Sequence, residues 1–415
     1  MTPMSIRGPS TLTLMLLLPV SVAAQPAADA PVQAASDGSG LSAEDQAALA
    51  AAMAAQTAGA TGAAGVDASG AGAAGVKVDT AWVLDIAAAA FSDREPLQAG
   101  GHDPTRRGFT LQQLELSLGT SIDPFLRLDA NLVFSLFGVE IEEAYASSTA
   151  LPGGFQLRAG QFLTRFGRIN QTHLHAWSFV DQAIAIGKVF GSEGNRGLGA
   201  ELSWLAPLPW YAELSLAAQQ GAGDCCARSM ASAESDGVDS WADLVYTADL
   251  NQFFALSDDV GLAWGVSAQT SQNGSGFQNR TDIYGTDLYL RYRPLDSQRR
   301  IATSLTVEAM LRSREVPGDL LRDAGGYAQL VQTWSPEWET GIRYELFSGV
   351  EGDPLDPEWT NHRDRSTAQL TYYPSHFSRI RLQGSLDRPT WRDDTIWAAM
   401  LALELVGGDH GAHAY

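Results

Sequence analysis

The sequence predicts an all-β fold: a transmembrane antiparallel up-and-down β-barrel of about 16 strands, preceded by a disordered Ala/Gly-rich N-terminal segment. Three observations carry this prediction: an export-type apolar run near the N-terminus, alternation of apolar and polar residues after Val78, and connections that alternate in length. The alternating segments run for about 10 to 14 residues. A tilted strand crossing a bilayer needs about 9 to 11 residues, whereas a sandwich strand has about 5 or 6.

The overall composition restricts the partners. The chain has 415 residues, with 27 Lys and Arg against 48 Asp and Glu, and a formal net charge of -21. This charge opposes binding to phosphate backbones, so no nucleic acid partner is expected. Cys225 and Cys226 are adjacent, which excludes a disulfide framework and a Cys-based zinc finger. An ordinary loop pair, a vicinal disulfide and a soft metal contact stay open for them.

The N-terminal region predicts export. Arg7 precedes an apolar run at 12–24, which ends in the small residues Val22-Ala23-Ala24. We interpret 1–24 as a signal peptide and 25–77 as a low-complexity periplasmic tether, because the latter is rich in Ala, Gly and Ser and poor in aromatic residues. Residues 78–415 are then the outer-membrane barrel.

Alternation defines the strands. In 126–136 the even positions are apolar, beginning with Leu126 and Leu128, while Arg127 and Asp129 lie between them. The same rhythm predicts sixteen strands near 81–92, 108–120, 125–136, 139–148, 154–164, 197–206, 209–219, 241–254, 259–271, 281–293, 300–313, 324–335, 338–349, 365–375, 378–387 and 395–406.

The connections predict a barrel with one short-turn rim and one long-loop rim. Tight turns such as 122–124 and 335–337 alternate with longer polar stretches at 93–107, 165–196, 220–240, 272–280, 314–323, 350–364 and 388–394. Lipid offers no hydrogen bonds, so an apolar outer face requires a closed cylinder without a free edge. The predicted location is the outer membrane of a Gram-negative bacterium, with outer-membrane lipid as the surrounding partner.

A barrel of this size has room for an aqueous channel unless something fills it. The longest connection, 165–196, is long enough to fold inward and is the predicted constriction. Charges of both signs are predicted to line the pore or the constriction: Arg127, Asp129, Arg158, Arg165, Arg168, Lys188, Arg291, Arg293, Glu308, Arg312 and Arg381. Rows of charge of this kind concentrate small ions in a pore. The alternative is that these residues form ion pairs that only keep the inner wall hydrated.

Histidines raise the question of a metal. His173 and His175 lie two apart, which in an extended segment points both rings to one side, and Asp181 could supply an oxygen ligand. Structural, hydrogen-bonded histidines are the alternative interpretation. His410 and His413 in the tail form a second, weaker candidate pair. No cofactor is required by these patterns, and zinc stays open.

Catalysis is not predicted. The sequence contains no GxSxG elbow, HExxH helix or Walker-type loop, and no nucleophile and base can be paired. The expectation is a chain that is not an enzyme.

Two passages resemble known families. Val139-Glu-Ile-Glu-Glu-Ala-Tyr145 with 154–167 is similar to the phosphate-selective porins of the O and P type. The continuation through His173-Leu-His175-Ala-Trp177 and Arg196-Gly197-Leu-Gly199, with the His-Gly-Ala-His tail, more closely resembles a bacterial group labelled zinc-regulated TonB-dependent outer-membrane receptors. The stronger resemblance covers roughly 130–220.

These resemblances imply an outer-membrane location, zinc-responsive expression or transport and, if the porin likeness extends to assembly, a homotrimer. A plugged receptor needs about 22 strands and a plug domain. Sixteen strands use the chain after Val78, and 25–76 lacks the composition of a plug, so TonB coupling is not expected. The predicted function is passive diffusion of small solutes or ions through a porin-like channel. A zinc-regulated receptor or transporter for metal uptake is the alternative. Solute and ion preference stay open.

Overall fold

The strands close into one barrel. The computed structural model describes residues 77–136, 138–221, 228–230, 238, 240–294 and 301–408. Neighbouring strands pair in chain order around the cylinder, and the first pairs with the last. The sixteen strands are β1 Asp79–Phe91, β2 Gly108–Ser121, β3 Leu126–Ser135, β4 Gly138–Ser148, β5 Phe155–Leu163, β6 Arg196–Leu205, β7 Tyr211–Gln219, β8 Val245–Ala255, β9 Val260–Gln272, β10 Arg280–Tyr292, β11 Ala302–Val316, β12 Asp319–Ser335, β13 Trp338–Phe347, β14 Arg363–Ser375, β15 Ser378–Pro389 and β16 Ile396–Gly408.

Closure of the barrel gives the first and last strands hydrogen-bonding partners on both sides. β1 pairs antiparallel with β16, from Ala81 opposite Gly408 to Phe91 opposite Ala398. On its other side β1 pairs antiparallel with β2. The backbone groups of both terminal strands thus have partners, which a bilayer requires because hydrocarbon supplies none. The predicted strand number and closure are confirmed.

The two faces of the wall differ as the alternation predicts. In β16, Trp397, Leu401 and Leu403 are exposed, while Met400 and Glu404 are buried. The exposed apolar side chains of all strands form a continuous outer surface that needs lipid, since water would leave it unfavourably hydrated. The chain is therefore an outer-membrane β-barrel of a Gram-negative bacterium.

One predicted connection is wrong. The stretch 314–323 was expected to be a long loop, but β11 runs to Val316 and β12 begins at Asp319. Only Pro317 and Gly318 separate these strands, and Gly318 has a φ of 82°, which glycine adopts without strain. Strand alternation continues through the polar residues here, so polarity alone gave the wrong boundary.

Helical structure is sparse among the described residues. They contain one α-helix, α1, which spans Ile184–Phe190, and short 3-10 turns at Pro152–Gly154, Ile169–Gln171, Leu174–Ala176 and Trp241–Asp243. Within the described residues, no helix has both the length and the apolar character needed to cross a membrane.

Several sequence-based predictions lie outside the described residues. They are the signal peptide 1–24, nearly all of the tether 25–77, the pair Cys225 and Cys226, and the tail histidines His410 and His413.

Candidate pore constriction

The connection between β5 and β6, residues 164–195, lies inside the barrel; we call it the constriction loop. It is almost entirely buried, with Ala176 and Ser192 as its exposed residues. A connection on the outer surface would keep most of its backbone in water. This one instead contacts the inner wall from Gly167 to Ile184.

Backbone amides of the constriction loop bind side chains around the wall. Four of them donate to four different strands: Gly167 to Ser267 of β9 (2.9 Å), Ile169 to Glu308 of β11 (2.7 Å), Val180 to Gln383 of β15 (2.8 Å) and Ile184 to Glu345 of β13 (2.7 Å). The inward polar residues of the strands therefore replace water as partners for the loop backbone. The constriction loop spans the lumen from one side to the other.

An apolar core lies within the lumen. Ile184, Ile186, Val189 and Phe190 of α1 are buried together with apolar side chains of the wall. These wall side chains are Ile283, Met310, Tyr327 and Phe347. The burial of this face explains why a seven-residue helix forms here, since its own hydrogen bonds are too few to stabilise it in water.

Inward glycines make room for loop aromatics. A Cβ atom at Gly285 of β10 would lie 2.5 Å from the ring of Phe166, and one at Gly341 of β13 would lie 3.1 Å from the ring of Phe179. Alternation puts both glycines on the inner face, where a larger side chain would displace the loop. The wall is thus shaped to fit the loop.

The wall from β13 to β15 is basic at the level of the loop. Asp181 Oδ1 lies 2.6 Å from Arg343 Nη2, and Asp181 Oδ2 lies 3.1 Å from Arg365 Nη1. Arg381 donates to the carbonyl of Phe179 (3.1 Å). Burial alone would raise the pKa of Asp181, but the charges of Arg365 and Arg343 outweigh it and hold that pKa below its usual value.

Lys188 links α1 to the connection between β13 and β14. Its Nζ lies 2.6 Å from Asp356 Oδ2 and 4.5 Å from the ring centre of Trp359. Asp323 of β12 is 3.8 Å away. Burial lowers the pKa of Lys188, although Asp356 opposes this effect. This ion-pair network covers the apolar core on the side of the connection between β13 and β14.

Ion pairs on the opposite wall keep partial contact with solvent. Arg158 pairs with Glu201 at 2.9 Å, and Arg165 pairs with Glu201 at 3.2 Å and with Glu213 at 2.7 Å. The side chains of Arg158, Arg165 and Glu213 are between 12% and 14% exposed. The lumen is therefore less tightly filled beside β5 to β7 than beside β13 to β15.

Histidines of the loop meet carboxylates of the wall. His173 Nδ1 lies 2.8 Å from Glu142 Oε2 and 3.8 Å from Glu115 Oε1, while its Nε2 lies 3.0 Å from Glu143 Oε2. His175 Nδ1 lies 2.9 Å from Glu115 Oε2. The two imidazole rings stack with centroids 5.7 Å apart. We call these five residues the histidine–glutamate cluster.

The carboxylates of the cluster favour the protonated form of both histidines. Burial alone would lower the pKa of His173, but Glu115 and Glu142 outweigh it and raise that pKa well above its usual value. Burial also opposes protonation of His175, and Glu115 raises the pKa of His175 above its usual value in spite of it. A cation at this position is therefore favoured, whether it is a proton or another positive ion.

A β-bulge in β4 explains why Glu142 and Glu143, which the sequence analysis did not single out, both contact the histidines. The register between β3 and β4 shifts between Asn131 and Leu132, which leaves Glu142 as the extra residue. By strict alternation Glu142 and Glu143 would face opposite sides; the bulge lets both reach the lumen. The run Glu-Ile-Glu-Glu was the available signal, because two adjacent carboxylates in a membrane strand leave one facing lipid unless the strand bulges.

The expected role of Asp181 beside the histidines is wrong. Asp181 lies between Arg343 of β13 and Arg365 of β14, and its carboxylate pairs with both. The carboxylates beside the histidines are instead those of Glu115 and Glu142, which come from strands β2 and β4. The sequence could not show this pairing, since these contacts join residues far apart in the chain.

The other predicted pore residues lie on the inner face or on the loop, except Arg293, which lies beyond the end of β10. Arg127 pairs with Asp129 at 2.8 Å, and the Arg168 guanidinium lies 3.7 Å from the ring centre of Tyr289. Glu308, Arg312 and Arg381 are buried against the loop rather than facing open water. Arg291 is half-buried near the short-turn end of β10, and Arg293 is exposed in the turn that follows.

The connection between β1 and β2 also contacts the constriction loop. His102 Nε2 lies 3.1 Å from Glu193 Oε2, and His102 Nδ1 lies 2.8 Å from the carbonyl of Gln112. Burial lowers the pKa of His102, but the hydrogen bond and charge of Glu193 outweigh burial and raise it to about 9. A cavity of about 30 Å³ beside this pair has room for little more than a water molecule.

A relative in sequence places the chain in a family. No protein-family model matches the chain. An uncharacterised protein of Aquifex aeolicus (strain VF5) is 31% identical over 343 residues, which cover 76% of this chain and 73% of the relative. The chain belongs to the family of this Aquifex protein. Membership of the phosphate-selective porins or of the zinc-regulated receptors is not shown.

Solved structures agree on the fold. The outer membrane channel DcaP of Acinetobacter baumannii has a TM-score of 0.56 at 13% identity, covering 81% of this chain and 99% of that protein. An anion-selective porin from Comamonas acidovorans has a TM-score of 0.55 at 10% identity, covering 80% and 100% respectively. At these identities the likeness establishes a porin-like barrel fold and leaves the solute open.

Proposed function

We propose that this barrel is a porin-like channel for passive diffusion of small solutes or ions, with the constriction loop setting the width of the path. The observation that carries the proposal is the charged loop held inside a closed barrel. Porin-like channels need a water-filled lumen narrowed at one level. Here the narrow level is 164–195, where the lumen is crossed by protein.

The path that we propose follows the wall from β3 to β10. Partly exposed basic side chains face the lumen there, Arg158 and Arg291 from the wall and Arg165 and Arg168 from the constriction loop. The wall from β11 to β15 is packed against α1 and Asp181 and offers less room. Since both signs of charge line the proposed path, we expect weak ion selectivity and a small single-channel conductance.

Single-channel recording in planar bilayers tests this proposal. The wild-type chain should give discrete conductance steps without ligand or energy source. Gly285→Val should enlarge the steps, because its side chain would overlap the ring of Phe166 and displace the loop. Gly384→Val on β15 is the matched control, since Gly384 is exposed and a Cβ there would meet its nearest atom at 3.9 Å. Absence of steps in the wild type, or equal steps for wild type and Gly285→Val, would contradict the proposal.

The alternative, a receptor or transporter for metal uptake, stays a prediction. The histidine–glutamate cluster favours metal binding, but binding alone does not favour uptake. Passive conduction in the recording above separates the two functions. We expect no enzymatic activity, and a homotrimer stays a prediction from the resemblance to the phosphate-selective porins.

A further inference from the structure

We infer that the histidine–glutamate cluster is a binding site for a divalent transition-metal ion, which clamps the constriction loop to β2 and β4. The ligands assigned are His173 Nδ1, Glu142 and Glu115, with His175 beside them. The inference concerns binding and does not depend on conduction.

The spacing of the donor atoms fits such an ion. The candidate atoms of Glu115, Glu142 and His173 all lie within 4.8 Å of one another. From His173 Nδ1, the two carboxylate oxygens are 2.8 Å and 3.8 Å away. Ligands held tetrahedrally at about 2.0–2.2 Å from zinc are about 3.4 Å apart. The two distances bracket this value, so small side-chain movements would complete the geometry.

The second nitrogen of His173 is held as in known metal sites. Nε2 lies 3.0 Å from Glu143 Oε2 and 3.2 Å from the Asn131 amide nitrogen; the tautomer with the proton on Nε2 donates to Glu143 and leaves Nδ1 available to a metal ion. Glu143 is fixed in turn by the Leu163 amide, which donates to Oε1 at 2.8 Å. A histidine that ligates a metal typically donates its other N–H to a carboxylate, which orients the ring. The remaining Nδ1 then points at Glu142 and Glu115.

Charge makes a cation necessary at this point. A neutral Nδ1 and a carboxylate oxygen 2.8 Å apart repel each other unless a proton or a metal ion lies between them. Glu115, Glu142 and Glu143 form their ion pairs, among the described residues, with His173 and His175 alone. A site that combines an imidazole nitrogen with carboxylate oxygens selects ions of borderline softness, such as Zn²⁺ and Co²⁺, over the hard ions Ca²⁺ and Mg²⁺.

Equilibrium dialysis of the full chain in detergent micelles, with Zn²⁺ as the probe at pH 7.5, tests the site. One Zn²⁺ should bind per chain in the cluster. His173→Asn and Glu142→Gln should each weaken binding by about 100-fold or more, and Glu143→Gln by about 10–100-fold through loss of ring orientation. His362→Asn is the matched control, because His362 is exposed and contacts Asn361. Heat-modifiable electrophoretic mobility confirms that each variant folds.

A second readout separates the clamp from adventitious binding. Zn²⁺ at 100 times its dissociation constant should slow tryptic cleavage of the constriction loop by about 100-fold in the wild type, since only the seated loop completes the site. His173→Asn should abolish this protection, while His362→Asn should retain it. Co²⁺ should show the visible absorption of a tetrahedral site, which His173→Asn should remove.

Three results would overturn the inference. One is a wild-type chain that binds no Zn²⁺ at millimolar concentration. Another is unchanged affinity in both His173→Asn and Glu142→Gln. The third is loss of binding in His102→Asn instead, since His102, Glu140 and Glu193 form the other described group with metal-ligand spacing.

Discussion

Asp181 holds the constriction loop against the basic wall. The Asp181→Asn substitution tests how much its negative charge contributes. The side chain is fully buried, with Arg343 at 2.6 Å, Arg365 at 3.1 Å and Gln383 at 2.8 Å. The amide keeps the size of the carboxylate and can keep the Gln383 contact. What it removes is the negative charge between two buried guanidinium groups.

Asp181→Asn is expected to destabilise the seated constriction loop substantially. Removing one partner of a buried ion pair costs about 3–5 kcal/mol. Arg343 and Arg365 keep Glu345, at 3.1 Å and 2.7 Å, so we take the lower end of this range. A cost of about 3 kcal/mol raises the population of the displaced loop by about 100-fold, because every 1.4 kcal/mol is a factor of ten.

Limited trypsinolysis of the folded barrel measures that population. Cleavage at Arg168 and Lys188 should be about 100-fold faster in Asp181→Asn than in the wild type, since fast opening makes cleavage follow the open fraction. Asp364→Asn is the control, because its partner Arg388 is 43% exposed and such pairs contribute about 0–1 kcal/mol. Equal cleavage rates in Asp181→Asn and wild type, with both barrels intact, would refute the reasoning.

Two further predictions test other contacts. Because the folded pKa of His102 is raised from 6.5 to about 9, its contact with Glu193 stabilises fully below about pH 6.5 and is lost as the pH rises through 9. The melting temperature of the wild type should therefore exceed that of His102→Asn at pH 6 and match it at pH 10; a constant difference would contradict this. Leu382→Arg on the outer face of β15 should destabilise the barrel by about 2–4 kcal/mol in bilayers, as charges on the lipid face do. Its denaturant midpoint should fall well below that of Leu202→Gln, which adds no charge; equal midpoints would contradict a lipid-facing position for Leu382.

The barrel could be predicted from the sequence because its signal is local and repeated. Period-two alternation in each strand and turn residues between strands require no knowledge of distant contacts. The error at 314–323 arose where polar residues continue a strand beyond the membrane, since strand geometry there no longer requires apolar side chains on the outer face.

The site could be predicted only in part, because its contacts are nonlocal. The sequence indicated that 165–196 could fold inward and that His173 and His175 lie together. It did not indicate α1, whose helix depends on wall residues such as Phe347. It also did not place Glu142 and Glu143 together, since the bulge in β4 breaks the alternation used to find the strands.

Cysteine accessibility tests most directly whether 164–195 lies inside the barrel. Ala185→Cys and Ser192→Cys, each in a background with Cys225 and Cys226 changed to Ser, would be treated with a polar maleimide in detergent micelles. Ala185 is 1% exposed and Ser192 is exposed, so Ser192→Cys should react rapidly and Ala185→Cys only after denaturation. Rapid reaction of Ala185→Cys in the folded barrel would contradict an internal constriction loop.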